Sequence, residues 1–541
     1  MRRILSALMA VIMLLSLASC SEQGVGKALS YTLDKSPQTL DPQYSGKTNA
    51  LVVLNNIYEG LVRLDSNGEI IPGVAESWEI SPDGLTYTFK IQQGTRWKCP
   101  NVIKTAYGEE FYNRFENEVR VNAHDFVFAM QRAISPQTGS PMAHRLFAIA
   151  NATEIYSGQA DVSSLGVSAP DDHTLVVKLE EPCDDMLKRF TEAVFMPCNE
   201  EFFNATGGRY GLAQRYILCN GPFYVSSWDS ASSLTIRKNS EYVYVDKVVP
   251  ATVTFTFESD SSAVASRIAG GSLSAALLPP DCEIPEDAVV VKENSNTVFG
   301  MAFNCSDSLL ANENIRKALC SSMDRSLFPA DETNGTVQNG FVPESCSAGS
   351  LNYRLAVGSQ TAELAFDKTA AAEMWQKGLE ELGVSKGSVT VICPERLDSA
   401  VRRQIQIWQQ VMGISIAVKT EIKTPEEIQS AVNSGEFQIA FTGIESNYDS
   451  AVDFIADFRG GGMFRFDSEE FDLVVDKLLQ VEGDSDLLGG CFTAEHYILQ
   501  SGIFFPLYSR SSVFVTMEGV EGISIADSEN TVSFISAKRY D

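Results

Sequence analysis

The residues best placed to do chemistry sit near the N-terminus, where Leu17-Ala18-Ser19-Cys20 closes an apolar run that begins at Ile4. Arg2 and Arg3 precede that run, which is shorter than the ~20 residues needed to cross a bilayer. Two cations, a short apolar stretch and small residues before a cysteine make a secretory signal over residues 1–19. The tetrad has the form of a lipobox, in which Cys20 receives a diacylglycerol thioether and becomes the new N-terminus. Each buried CH₂ contributes ~0.8 kcal/mol and stable anchoring takes about two chains, so a lipidated Cys20 should hold. Residues 20–30, glycine-containing and without apolar periodicity, then read as a tether.

Catalytic constellations are missing from the rest of the chain. No G-x-S-x-G elbow and no H-E-x-x-H occurs, and the four histidines (His124, His144, His173, His496) are far apart in sequence. Each reads as a surface or core histidine. Gly46-Lys47-Thr48 imitates the end of a P-loop, but the glycine a P-loop needs five residues before its second one is here Asp41. Setting Cys20 aside, ten scattered cysteines remain with no C-x-x-C pair, so neither a zinc site nor a redox motif is expected. They read mostly as small buried hydrophobes. Acidic pairs such as Glu180-Glu181 and Asp184-Asp185 read as solvated. No enzyme activity, metal or cofactor is expected.

Composition narrows the classes further. A 44% hydrophobic and 21% charged chain is ordinary for a globular protein, and 541 residues allow about two to four domains. The net charge of −28 argues against a nucleic-acid surface, which needs clustered Lys and Arg. No segment after the signal is apolar for long enough to span a membrane.

The elements that must position a site can be read in places. Leu85, Tyr87, Phe89 and Ile91 alternate with polar residues, as do Val253, Phe255 and Phe257, and Thr174–Glu180 follows the turn Pro170-Asp171-Asp172. Further on, Val389–Ile392 predicts a strand, and Val401, Ile405, Trp408 and Met412 predict a helix that stops at Gly413. Ile414, Ile416 and Val418 predict another strand. Thr424-Pro425 opens a helix with threonine as N-cap and proline at its first position, and Phe437–Phe441 predicts the next strand. Ile315, Leu319 and Met323 make one stripe of an upstream helix. Strand alternating with helix places an α/β lobe in the C-terminal half, with a strand-rich region before it.

Several segments resemble the large extracellular solute-binding family that includes oligopeptide-, dipeptide- and nickel-binding proteins. They run in family order: Thr39-Leu40-Asp41-Pro42, Tyr58-Glu59-Gly60-Leu61, Pro72-Gly73-Val74-Ala75-Glu76-Ser77-Trp78, Asp83-Gly84, Ser140-Pro141 and Asp171-Asp172-His173-Thr174-Leu175. Asn220-Gly221-Pro222-Phe223 with Trp228, Asn314–Leu319 with Asp324-Arg325, and Phe505-Pro506-Leu507-Tyr508 follow. Trp78 and Trp228 are expected as core anchors.

The resemblance implies an α/β, two-lobed, periplasmic-binding-protein-like fold of the large peptide-binder variant, closing on its ligand by a hinge. It implies lobe one at 30–64, 190–290 and 505–541, a small extra domain at 65–189, and an α/β lobe two at 291–504. It also implies peptide capture for an ABC importer, with a permease and an ATPase as partners and no nucleic acid. The lipid on Cys20 would hold the protein to the outer face of the cytoplasmic membrane. Ligand contacts are expected at Thr48, Asn49, Phe441, Gly443, Ile444, Glu445, Asn447 and Tyr508.

The chain departs from the family pattern in three places. Lys98–Arg120 is a longer stretch after Trp97, read as a surface insertion. Ile444 and Asn447 stand where oligopeptide binders carry a tryptophan and the aspartate that pairs with the peptide's α-ammonium, and Glu445 or Asp449 is the substitute at hand. Phe441 replaces an arginine, making the cleft less polar. The rival ligands are a nickel chelate, an oligosaccharide or another small organic molecule; four histidines and five tryptophans argue against metal and sugar. A surface receptor or adhesin without a permease, and a lipoprotein hydrolase, are the remaining alternatives.

Overall fold

Strand β1 (Leu29–Leu33) is the first described element, with Leu29, Tyr31 and Leu33 all buried. The computed structural model describes residues 28–541 apart from 46–47, 66–67, 181, 184–185, 280–281, 329–334, 359–364, 447–449, 482, 526–531 and 541. The signal segment, Cys20, most of the expected tether and Asn447 lie outside the described residues. Because Leu29 is already packed in a sheet, the tether ends earlier than residue 30.

After helix α1 (Thr48–Ile57), strands β2 (Ala75–Ile80), β3 (Thr86–Ile91), β4 (Val167–Asp171) and β5 (Thr174–Lys178) form an antiparallel sheet in the order β2-β3-β5-β4. The alternation in β3 is realised, with Tyr87, Phe89 and Ile91 buried on one face. The insertion after Trp97 folds as two helices, Asn101–Tyr107 and Glu109–Asn117. Ile103 and Phe115 are fully buried, and the rings of Phe111 and Phe115 pack on Phe202. Trp78 and Trp228 lie half-buried at the core's edge, whereas Trp97, Trp375 and Trp408 are the buried ones.

Strands β6 (Phe223–Asp229), β7 (Ser233–Lys238), β8 (Thr252–Phe257) and β9 (Ala275–Leu278) extend the sheet begun by β1. The sixteen-residue β10 (Ala288–Phe303) then leads into the C-terminal half. There β11 (Gly387–Cys393), α2 (Asp398–Met412), β12 (Ile416–Ile422), α3 (Pro425–Ser434), β13 (Ile439–Glu445) and α4 (Ala451–Ala456) alternate as expected. The stripe Val401, Ile405, Trp408 and Met412 is buried, and Gly413 ends the helix at a φ of 62°. Ile414 is not in the next strand: it is 90% exposed in a short turn, and β12 starts at Ile416. In α3 the side chain of Thr424 accepts from Glu427 N while Glu427 caps Thr424 N in return.

The return strand β14 (Phe504–Met517) completes an eleven-stranded sheet whose main path is β12-β11-β13-β10-β14-β9-β1-β8-β7-β6. The two long strands carry it from one lobe to the other. Ala288–Asn294 of β10 pairs with Ser512–Met517 of β14 alone, whereas Thr297–Phe303 lies between β13 and Phe504–Arg510 of β14. The register slips between Asn294 and Thr297, as at a bulge that bends a strand. Phe504–Arg510 thus lies beside the part of β10 that pairs with β13, and Val513–Thr516 beside β9.

Candidate functional site

In the second lobe the sheet is covered on both faces, so its strands carry apolar residues at successive positions. Along β13, Ala440 and Ile444 enter one core with Val298, while Ile439 and Phe441 enter the other with Phe299 and Met301. Expected site residues therefore part company. Ile444, 2% exposed, points into packed core, away from the face that carries Gly443 and Glu445. Phe441 and Tyr508 are buried as well. They stack with Phe299 (centroids 6.2 and 5.5 Å from it) and Phe441 stacks on Phe328 at 6.4 Å, making an aromatic floor rather than a polar wall. Gly443 has a reason to be glycine: an added Cβ would lie 2.9 Å from Phe299 Cε1 and from Thr297 Cγ2.

Beyond that floor the strand surfaces at Glu445, directly opposite Thr297 of β10. Asn296, buried at the bend of β10, donates from Nδ2 to Glu445 Oε1 at 2.9 Å, and Ser512 Oγ lies 3.5 Å from the same oxygen. Glu445 remains open to solvent although protein surrounds it on its other sides. That enclosure pushes its pKa up, the hydrogen bonds from Asn296 and Ser512 oppose the push, and the Asp34 carboxylate adds to it. Asp34 follows β1 in the other lobe. Asn49, in the first turn of α1, donates to Asp34 Oδ1 and, at 3.1 Å, to Lys35 O. Thr48 starts the same helix.

Asp34, itself largely exposed and 3.9 Å from Lys35 Nζ, thus adds negative charge on the far side of the boundary from Glu445. At the other end of the floor, Arg396 follows β11 and donates from Nη1 to Tyr508 Oη at 3.3 Å. The site brings together Asn49, Gly443 and Glu445 from the sequence expectation. It adds Asp34, Asn296, Ser512 and Arg396, which sequence reasoning missed. The polar run Ser295-Asn296-Thr297, breaking an otherwise apolar stretch, was the signal for Asn296.

Among the described residues no group of three or more His, Cys, Asp or Glu could hold a metal ion. No helix among them is long and apolar enough to cross a membrane.

The sequence profile of the bacterial extracellular solute-binding proteins, family 5, matches residues 69–464. The chain belongs to that family. This family-5 protein is 26% identical over 521 residues to a dipeptide-binding protein of Lactococcus lactis, covering 91% of this chain and 90% of the relative. It is also 26% identical to an oligopeptide-binding protein of Bacillus subtilis over 92% of its own length and 90% of the relative's. Its fold matches that of a peptide-bound oligopeptide-binding protein from Listeria monocytogenes with a TM-score of 0.74. At 22% identity, that match covers 96% of this family-5 chain and all of the other. The expected α/β two-lobed architecture is therefore the architecture of this family-5 protein.

Proposed function

We propose that this solute-binding protein captures peptides with a free amino terminus between its lobes and passes them unchanged to an ABC permease and its ATPase. The observation that carries the reading is the Glu445 carboxylate at the boundary between the lobes, held by Asn296 at 2.9 Å and Ser512 at 3.5 Å and left open to solvent. A carboxylate whose pKa burial has raised is costly to keep charged and is relieved by a cation, and a peptide's α-ammonium has the charge and the donors to meet it. The names of the related proteins support peptides as the ligand class. Arg396 beside Tyr508 gives the cleft an opposite charge at its far end, suited to a carboxylate.

The same reading divides the chain into lobe one (about 30–64, 190–290 and the stretch after Ser511), a small domain at 65–189 holding the four-stranded sheet, and lobe two between them. It places the protein on the outer face of the cytoplasmic membrane through a lipid on Cys20. Calorimetry with trialanine and with N-acetyl-trialanine tests the ligand assignment. Trialanine should bind and its acetylated form should bind at least tenfold more weakly; equal binding, or none by either, removes the amine reading.

A further inference from the structure

Away from the cleft floor, the lobes are also joined by a compact ionic cluster. Asp453 lies in the first turn of α4, a few residues past Glu445, and is only 3% exposed. Its carboxylate is taken by two neighbours in the small domain, both on the short turn Ala143–Leu146. His144 Nε2 is 2.6 Å from Oδ1 and Arg145 Nη1 is 2.9 Å from Oδ2. Arg145 does not depend on Asp453 for its orientation. Glu192 holds the other side of the guanidinium, at 2.7 Å from Nε and through a second contact to Nη2. Against the upward push of burial, Arg145 and His144 hold the Asp453 carboxyl well below the usual carboxylate range.

The asymmetry of this cluster is informative. Arg145 and Glu192 come from one side of the interlobe boundary, so their bidentate pair survives if the lobes part. Asp453 comes from the other side and loses both His144 and Arg145 on parting. A cation held ready by a local carboxylate spends little conformational freedom when the third group arrives. A structural ion pair that only stabilised one lobe would not be shared between segments more than 300 residues apart on the two sides of the boundary.

We propose that Asp453, docking on His144 and Arg145, is a closure latch that sets how much of the protein occupies the closed arrangement. It thereby scales the affinity for every ligand by a common factor. These are positioning residues, and none is required to touch the ligand. Apparent affinity is intrinsic affinity multiplied by the competent fraction, so loosening the latch weakens all ligands alike and shows itself even when no ligand is present. The inference does not rest on the ligand being a peptide.

The test compares wild type with Asp453→Asn, which keeps size and hydrogen-bonding atoms but removes the charge, and with the milder His144→Gln. Small-angle X-ray scattering of ligand-free protein should show a larger radius of gyration for Asp453→Asn and a smaller change in the same direction for His144→Gln. Trialanine and pentaalanine should each lose about tenfold in affinity, by the same factor, with the change in the dissociation rate. Adding Arg145→Gln to Asp453→Asn should cost little more, since the latch is already open. An unchanged radius with only a lower melting temperature makes the cluster structural glue and overturns the proposal. Unequal weakening of the two peptides makes Asp453 a ligand contact and also overturns it. If neither peptide binds wild type, the peptide reading fails, while the scattering result still decides the latch.

Discussion

On the proposed reading, Glu445 serves the ligand at the expense of the empty fold. Its pKa is raised in the folded protein, so between its ordinary value and the raised one the folded state holds a proton that the unfolded state has lost. Ligand-free stability therefore falls as pH rises through that window and is unaffected by the group below the ordinary value of about 4.3. Glu445→Gln is expected to raise the ligand-free melting temperature at pH 7, with the gain vanishing below about pH 4, measured by calorimetric scans across pH. The same change should weaken a free-amine peptide roughly tenfold to a hundredfold, the worth of a hydrogen bond to a charged group. Asn447, two residues further on, supplies the converse experiment. In the Glu445→Gln background, where that carboxylate no longer serves the amine, Asn447→Asp should strengthen binding of free-amine peptides by a comparable factor and leave N-blocked ones unchanged or weaker. If both peptide classes respond alike in calorimetry, Asn447 is not at the amine.

At the scale of elements, α2 carries a prediction that follows from its apolar stripe. Trp408 is fully buried between the sheet and the upstream helix, and its Nε1 donates to Leu319 O at 3.0 Å. Trp408→Ala should cost about 3–5 kcal/mol through the cavity it leaves, read from denaturant unfolding. Residues of this kind were legible in the sequence, because a helix against a sheet imposes a 3.6-residue stripe and a visible stop such as Gly413. The capping box at Thr424 and the alternation in β3 were legible for the same local reason. The site was less so. Phe441, Ile444 and Tyr508 lie on β13 and β14, and on a strand buried on both faces the alternation does not reveal which face is open. Ile444 consequently passed for a wall residue and is core. Asp34 and Arg396 were invisible because each reaches the site through chain crossings between lobes, which no local pattern records. His144, which reads as a surface or core histidine, meets Asp453, 309 residues away, at 2.6 Å.

For the whole molecule, the proposed anchor makes a prediction about how close the lobes lie to the membrane. The described chain begins at Ala28, immediately before β1, and β1 sits in the middle of the first lobe's sheet between β8 and β9. A lipid on Cys20 would then lie only about eight residues from a rigid element. At no more than ~3.6 Å per residue, such a link spans at most roughly 30 Å. The binding lobes would be held close to the membrane face where a permease opens. Anchoring and delivery are thus one geometric proposition, and it stands or falls with Cys20. Cys20→Ala should abolish incorporation of labelled palmitate and either release the protein to the medium or leave an unprocessed precursor carrying Met1–Ser19. The variant purified without its signal should keep the melting temperature and the trialanine affinity of the wild type. Equal palmitate labelling of variant and wild type would remove the anchor. A variant that is released yet still imports trialanine into cells at the wild-type rate would remove the need for proximity.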